Sequence, residues 1–144
     1  MAYHLKSVTL RTNNDRMTEI DELWQDVMNG KLPLIFDQNH EVQYGVFPIS
    51  RYSNYASDET EDYDLSIMAV TSEFLKKLDA GSYQKYDAVA ENTGTSARQA
   101  WGKVWEDSKN GVIKRSFTQD YEVSLTPSVS RDGKFHCILY IAVV

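Results

Sequence analysis

The sequence predicts an α+β domain in which two β-α-β-β halves contribute to an antiparallel sheet, with two main helices on one side of it. Three observations carry this. Apolar residues alternate over several short stretches, two longer stretches carry them at helical spacing, and the second half of the chain echoes the first. Leu23-Trp24-Gln25-Asp26-Val27-Met28-Asn29-Gly30 aligns without a gap on Val104-Trp105-Glu106-Asp107-Ser108-Lys109-Asn110-Gly111. The same offset sets Val8 on Val89. Tyr44-Gly45-Val46 falls on Tyr121-Glu122-Val123, and Ile67-Met68-Ala69-Val70 on Tyr140-Ile141-Ala142-Val143. The halves run over about residues 1–72 and 79–144, within a single domain spanning 1–144.

The elements follow in order. Tyr3 to Thr12 alternates as a strand. Thr18-x-x-Asp21 resembles a capping box, and behind it Ile20, Leu23, Trp24, Val27 and Met28 recur at i, i+3, i+4, i+7, i+8. Gly30 is placed to end that helix. Tyr44 to Tyr52 and Tyr63 to Thr71 are predicted strands joined by a polar hairpin loop. Ser72 to Ala80 forms a short helix between the halves. Gln84 to Glu91 is a strand, and Ser96-x-x-Gln99 opens a helix carrying Ala97, Ala100, Trp101, Val104 and Trp105. Tyr121 to Pro127 and Phe135 to Val144 are strands with a turn at Arg131-Asp132-Gly133, because Asp-Gly favours tight hairpins.

Composition bounds the function. The 144 residues carry a formal charge of −6, with 42% apolar and 12% aromatic residues. An acidic chain lacks the basic patch that nucleic-acid binding requires. Lys76-Lys77 and Lys114-Arg115 are the basic clusters and read as solubilising surface. No apolar run reaches the length of a membrane helix, and no signal peptide is evident at the start. The single cysteine, Cys137, rules out an internal disulfide and suits a reducing compartment, so the expected location is the cytoplasm. Cys137 itself reads as inert core. His4, His40 and His136 are scattered, no metal-ligand spacing occurs, and neither phosphate-loop nor dinucleotide glycines are present; neither metal nor cofactor is expected. The acidic run from Asp58 to Asp64 matches no calcium loop and reads as a solvated hairpin tip.

The candidate site comes from a break in the repeat. Glu122 stands where the first half has Gly45, between matching Tyr and Val residues. A carboxylate in mid-strand is unusual; the local pattern alone reads it as facing solvent, whereas the glycine at the matching position leaves space for a partner or ligand. Phe47 is read on the same face as Gly45. Trp24 and Trp105, which match each other, read as core packing. Trp101 has no aromatic counterpart, since its partner is Ile20.

The order of elements, the repeat, and the phrases Ala80-Gly81-Ser82-Tyr83 and Tyr121-Glu122-Val123-x-Leu125-x-Pro127 resemble the GyrI-like (gyrase-inhibitor-like) effector-binding superfamily. It supplies ligand domains to multidrug-sensing regulators and AraC-type activators, and includes free-standing members, some carried on integron cassettes. The resemblance implies that Glu122 lies in an aromatic pocket and meets cationic, amphipathic ligands. It also implies pocket roles for Phe135 and Tyr52, with Trp101 and Phe47 as further lining candidates. A stand-alone binding domain without a DNA-binding unit is therefore expected, not an enzyme, acting in sensing, sequestration or regulation. The resemblance holds two alternatives: a hydrolase of strained electrophilic genotoxins using Glu122 as general base, and a protein partner such as a regulator or gyrase.

Overall fold

The computed structural model describes residues 7–28, 47–57, 61–127, 130 and 132–144. Within them the order is β1 (Ser7–Thr12), α1 (Met17–Met28), β2 (Phe47–Ser53), β3 (Tyr63–Val70), α2 (Ser72–Ala80), β4 (Tyr83–Ala90), α3 (Thr93–Lys109), β5 (Arg115–Leu125) and β6 (Phe135–Val143). The six strands form one sheet in the order β1-β3-β2-β5-β6-β4, and every neighbouring pair is antiparallel. Strands β2 and β5 meet in the middle, so each half of the chain supplies one side of the sheet.

Side chains alternate between the faces of a strand, and directly paired residues share a face. Glu122 is paired with Ser50 and with Leu139, and Ser50 with Ile67. This face carries α1 and α3. From α1, Ile20 and Trp24 pack with Tyr63, Leu65, Tyr52 and Tyr55. From α3, the buried Ala100 and Val104 pack on Cys137, Leu139 and Ile141. The short α2 takes the opposite face, where Leu78, Phe74 and Leu75 join Ile49, Val70, Tyr121, Val123 and Tyr140. Both main helices therefore lie on one side of an antiparallel sheet, as the sequence predicts. Leu78 gives α2 its one buried side chain, and the two faces need separate cores because the sheet is apolar on both.

Several local readings change. Helix α3 begins at Thr93, and its N-cap is Asn92, whose side chain accepts from the Thr95 N–H at 2.8 Å. Ser96 lies inside the helix, fully buried, and donates to the Thr93 carbonyl. Asn92 competes better for the cap position because its amide oxygen reaches the exposed N–H groups of the first turn. Strand β5 begins at Arg115 and passes through an irregularity before Asp120, within which Phe117 adopts a left-handed φ of 53°. Gly133 takes φ 70° in the β5–β6 connection, the conformation for which glycine is suited there.

The register also corrects the strand alignment of the two halves. Setting Ile67 on Tyr140 pairs a residue of the α1/α3 face with one of the α2 face. Extending the alignment of Gly45 on Glu122 puts Phe47 on Ser124, which again lie on opposite faces. The alignment is out of phase by an odd number of residues, and any such slip reverses every side chain of a strand. Gly45, Tyr44, Asn29 and Gly30, like Arg131, lie outside the described residues.

Candidate functional site

Glu122 sits on β5, at the middle of the sheet, on the face shared by α1 and α3. The indole Nε1–H of Trp101 donates to Glu122 Oε2. Trp101 comes from the middle of α3, one residue after buried Ala100, so helix packing delivers the indole to the strand. Tyr52, from the facing strand β2, meets the Trp101 ring edge-on with centroids 5.2 Å apart. It meets Tyr63 at 5.5 Å in the same way. Tyr63 is buried, with its hydroxyl donating to Asn14 at 2.7 Å. Trp105 lies beyond Trp101, centroids 6.3 Å apart.

Glu122 is partly buried. Burial pushes its carboxyl above the ordinary range, and the Trp101 hydrogen bond opposes that in part. No ion pair involves Glu122 among the described residues, and Trp101 gives its one hydrogen bond there. The carboxyl in turn raises its neighbours: the Tyr52 hydroxyl is pushed well up, first by burial and then by Glu122, and Tyr63 rises to about 12 for the same two causes. Cys137, fully buried beneath, is raised chiefly by burial. It is an inert core thiol.

Of the five residues singled out from the sequence, the structure brings three together: Glu122, Trp101 and Tyr52. Phe135 opens β6 opposite Ala90, four residues before Leu139, which is the partner of Glu122. That separation along the strand is roughly 13 Å, so Phe135 belongs to another level of the sheet. Phe47 is removed from the site altogether. It packs with Ile49 and Val70 on the α2 face, because Ile49 pairs with Val123 and not with a residue of the Glu122 face. Trp105, read as core, is 45% exposed at the outer side of α3. Trp24 does pack against the Tyr63 and Leu65 cluster.

The sequence reading missed a second charged group beside the site. Asp120, two residues before Glu122 on the same face, is fully buried. Its Oδ2 accepts from Arg115 Nη2 at 2.8 Å and from the Tyr55 hydroxyl at 2.5 Å, and its Oδ1 accepts from the Ala142 N–H at 2.9 Å. The Arg115 guanidinium lies 4.5 Å from the Phe117 ring centroid and 5.9 Å from that of Trp101. Arg115 is thus a buried anchor and not the solubilising surface residue its neighbour Lys114 suggested. The available signal was the i, i+2 spacing of Asp120 and Glu122, which puts both carboxyls on one strand face.

A separate cleft of about 260 Å³ lies near the irregular start of β5, lined by Ser82, Tyr83, Ser116, Thr118 and Gln119 among others. It does not include Glu122. Among the described residues no group of three or more His, Cys, Asp or Glu side chains is arranged to hold a metal, and no helix is long and apolar enough to cross a membrane.

Fold and site together define an α+β domain with a carboxyl and aromatic rings between two helices over the centre of a six-stranded sheet. A solved structure with similar architecture is the integron cassette protein VCH_CASS2 from the mobile metagenome of Vibrio cholerae. It shares 19% sequence identity at a TM-score of 0.65, over 98% of this chain and 95% of that one. A likeness at that identity concerns the fold. The sequence matches no family model and no curated protein.

Proposed function

We propose that the chain is a small-molecule-binding domain whose ligand is an organic cation with an apolar body, held at Glu122. The observation that carries this is a partly buried carboxyl with no cation beside it among the described residues, one neutral hydrogen-bond donor, and aromatic rings around it. Removing a carboxylate from water is costly unless it is paired. A bound cation offsets that cost, and each aromatic face adds about 0.5–2 kcal/mol of cation–π attraction. Trp101 and Tyr52 are the lining residues; Phe135 could reach only a ligand extending along β6.

The GyrI-like effector-binding reading agrees with this chemistry. The placing of β2 beside β5, with each half on its own side, is what a duplicated module would give. The likeness to an integron cassette protein is consistent with a cassette origin, and a role in sensing or sequestration would follow from the binding reading itself. The acidic chain favours no nucleic-acid surface.

The test is titration of intrinsic tryptophan fluorescence with 4-phenylbutylamine and other lipophilic cations, for the wild type and Glu122→Gln. Saturable quenching in the wild type, with affinity at least about tenfold weaker in the variant, is expected, the scale of one charge-assisted hydrogen bond. Equal binding by both proteins, or by neither, overturns the reading.

A second reading rests on the raised Glu122 carboxyl. A carboxyl poised in this way can act as general base on water. Water oxygen would attack a strained cyclopropane carbon, its proton passing to Glu122, while the ring C–C bond breaks and its electron pair moves into a conjugated acceptor that is then protonated. Turnover of such a substrate, lost in Glu122→Gln, would favour this over stoichiometric binding.

A further inference from the structure

We infer that the cleft at the irregular start of β5 is a second ligand site, for a neutral polyhydroxylated molecule such as a sugar ring or a cyclic polyol. The inference is independent of the Glu122 reading, because Tyr83 and Gln119 set this cleft on the α2 face of the sheet.

The irregularity aims the side chains that line it. From Arg115 to Asp120 strand β5 advances five residues, while its partner β6 advances two, from Val143 to Ile141. The strand therefore changes phase within this stretch. Regular alternation back from Asp120 would put Phe117 on the α2 face, and Ser116 and Thr118 on the α1/α3 face. The structure has the reverse. Phe117, at φ 53°, turns its ring to that of Tyr55, with centroids 5.6 Å apart, and to the Arg115 guanidinium that holds Asp120. Ser116 and Thr118 line the cleft together with Gln119, Tyr83 and Ala142. Tyr83 and Ala142 are cross-strand partners, and Tyr83 packs with the core of the α2 face. A bulky residue in the left-handed region is strained. Here the strained turn sets two hydroxyls into a concave surface.

The chemistry of the lining selects the ligand. The cleft encloses about 260 Å³, and no charged side chain lines it. A cation would meet no carboxylate there, and an anion no guanidinium or ammonium, so either would exchange water for neutral partners alone. The lining instead offers groups that both give and take hydrogen bonds. Gln119 Nε2 donates to the Tyr83 hydroxyl at 3.1 Å, and among the described residues no acceptor takes the Tyr83 proton. The Ser116 and Thr118 hydroxyls lie 2.9 Å apart, so one donates to the other and the second proton remains for a ligand. Ser82 adds a further exposed hydroxyl. A molecule rich in hydroxyls answers each of these in kind.

Water can meet the same groups. A polyol competes by carrying several hydroxyls on one rigid frame and by laying its C–H face on the Tyr83 ring. That ring is held ready. It meets the Tyr121 and Tyr140 rings edge-on, and a Cβ at Gly81 would stand 3.0 Å from its Cδ2 and Cε2 atoms. Glycine at that position therefore lets the ring lie close against the chain.

The experiment follows backbone amides by NMR while the protein is titrated with methyl β-glucopyranoside, methyl β-galactopyranoside and myo-inositol, with glucosamine and glucuronate as charged counterparts. At least one neutral compound is expected to give saturable shifts at Ser82, Tyr83, Ser116, Thr118 and Gln119, with a dissociation constant on the order of 1 mM. Thr118→Val, at an exposed position, and Gln119→Leu each remove hydrogen bonding at little change in bulk, and each should weaken that compound about fivefold. Glu122→Gln should bind it as the wild type does. The inference is overturned if no neutral compound shifts these amides, or if both cleft variants bind like the wild type. It is equally overturned if a charged counterpart binds tenfold more tightly than the neutral sugars, or if Glu122→Gln abolishes the shifts, which would move the sugar to the other face.

Discussion

Two carboxyls stand two residues apart on one face of β5, and their surroundings differ in kind. Asp120 is sealed from solvent and saturated: a guanidinium, a phenol and a backbone N–H converge on it from β5 itself, the segment after β2, and β6. Glu122 keeps partial access and has one neutral donor. The first arrangement locks the irregular opening of β5 to the sheet. The second leaves a carboxyl with no counter-charge among the described residues. A buried carboxyl completed by the fold serves the fold, and on the proposed reading the one with fewer partners is the one that meets a ligand.

The comparison can be broken at either residue. Asp120→Asn should have the largest effect, because it leaves Arg115 buried opposite a neutral group. Losing one partner of such a pair costs about 3–5 kcal/mol, measurable as a shift in the denaturant midpoint. Tyr55→Phe removes one hydrogen bond to the same carboxylate and should cost about 1.5–3 kcal/mol, with no change in cation affinity.

Glu122→Gln should act in the opposite direction. The folded carboxyl titrates above its ordinary value of 4.5, so the folded state takes up a proton before the unfolded state does. Its cost to stability is absent below the ordinary value, grows as pH rises through the folded value, and is complete above it. At neutral pH the glutamine variant is therefore expected to melt a few degrees higher while losing ligand. A lower melting temperature would mean that the fold, and not a ligand, needs the charge. Affinity for cations in the wild type should likewise fall as the medium is acidified through the folded value.

Smaller effects test the periphery. His136 lies between two carboxylates, with Nδ1 2.8 Å from Asp87 and Nε2 2.7 Å from Asp132. The bond to Asp87, then that to Asp132, raises its imidazole above 6.5. The protonated clasp thus contributes fully below 6.5 and is lost as pH rises through the folded value. His136→Gln should flatten stability over that window, as followed by thermal melts at successive pH values. Trp105→Ala, at the exposed end of the tryptophan pair, should change stability by no more than about 0.5 kcal/mol, in contrast to Trp101.

These contrasts also show what one chain of letters can hold. Helices and hairpins were legible because their signals are local: the Ile20–Trp24 and Ala100–Val104 stripes, the Ser72–Ala80 segment, and Asp132-Gly133. Glu122 was legible as an anomaly in a strand, and Trp101 as an aromatic without a counterpart. Which face a strand presents depends on pairing with a distant strand, and so Phe47 was assigned to the wrong side. Ile49 pairing with Val123 decides it, and no local pattern does. Arg115 was misread for a related reason. Next to Lys114 it looks like surface charge, and only the left-handed turn at Phe117 and the fold-back onto Asp120 bury it. Trp24 and Trp105, alike in the sequence repeat, part company because α3 turns Ala100, Val104 and Asp107 toward the sheet and leaves Trp105 at the rim.

The central claim is that Glu122 is a desolvated carboxyl awaiting a cation. Its most direct test is the titration of the Glu122 side-chain carboxyl carbon by NMR, with and without saturating 4-phenylbutylamine. The account predicts a midpoint above 4.5 in the free protein that moves down when the amine is bound, since a cation stabilises the charged form. A midpoint at the ordinary value that ignores the amine would contradict it.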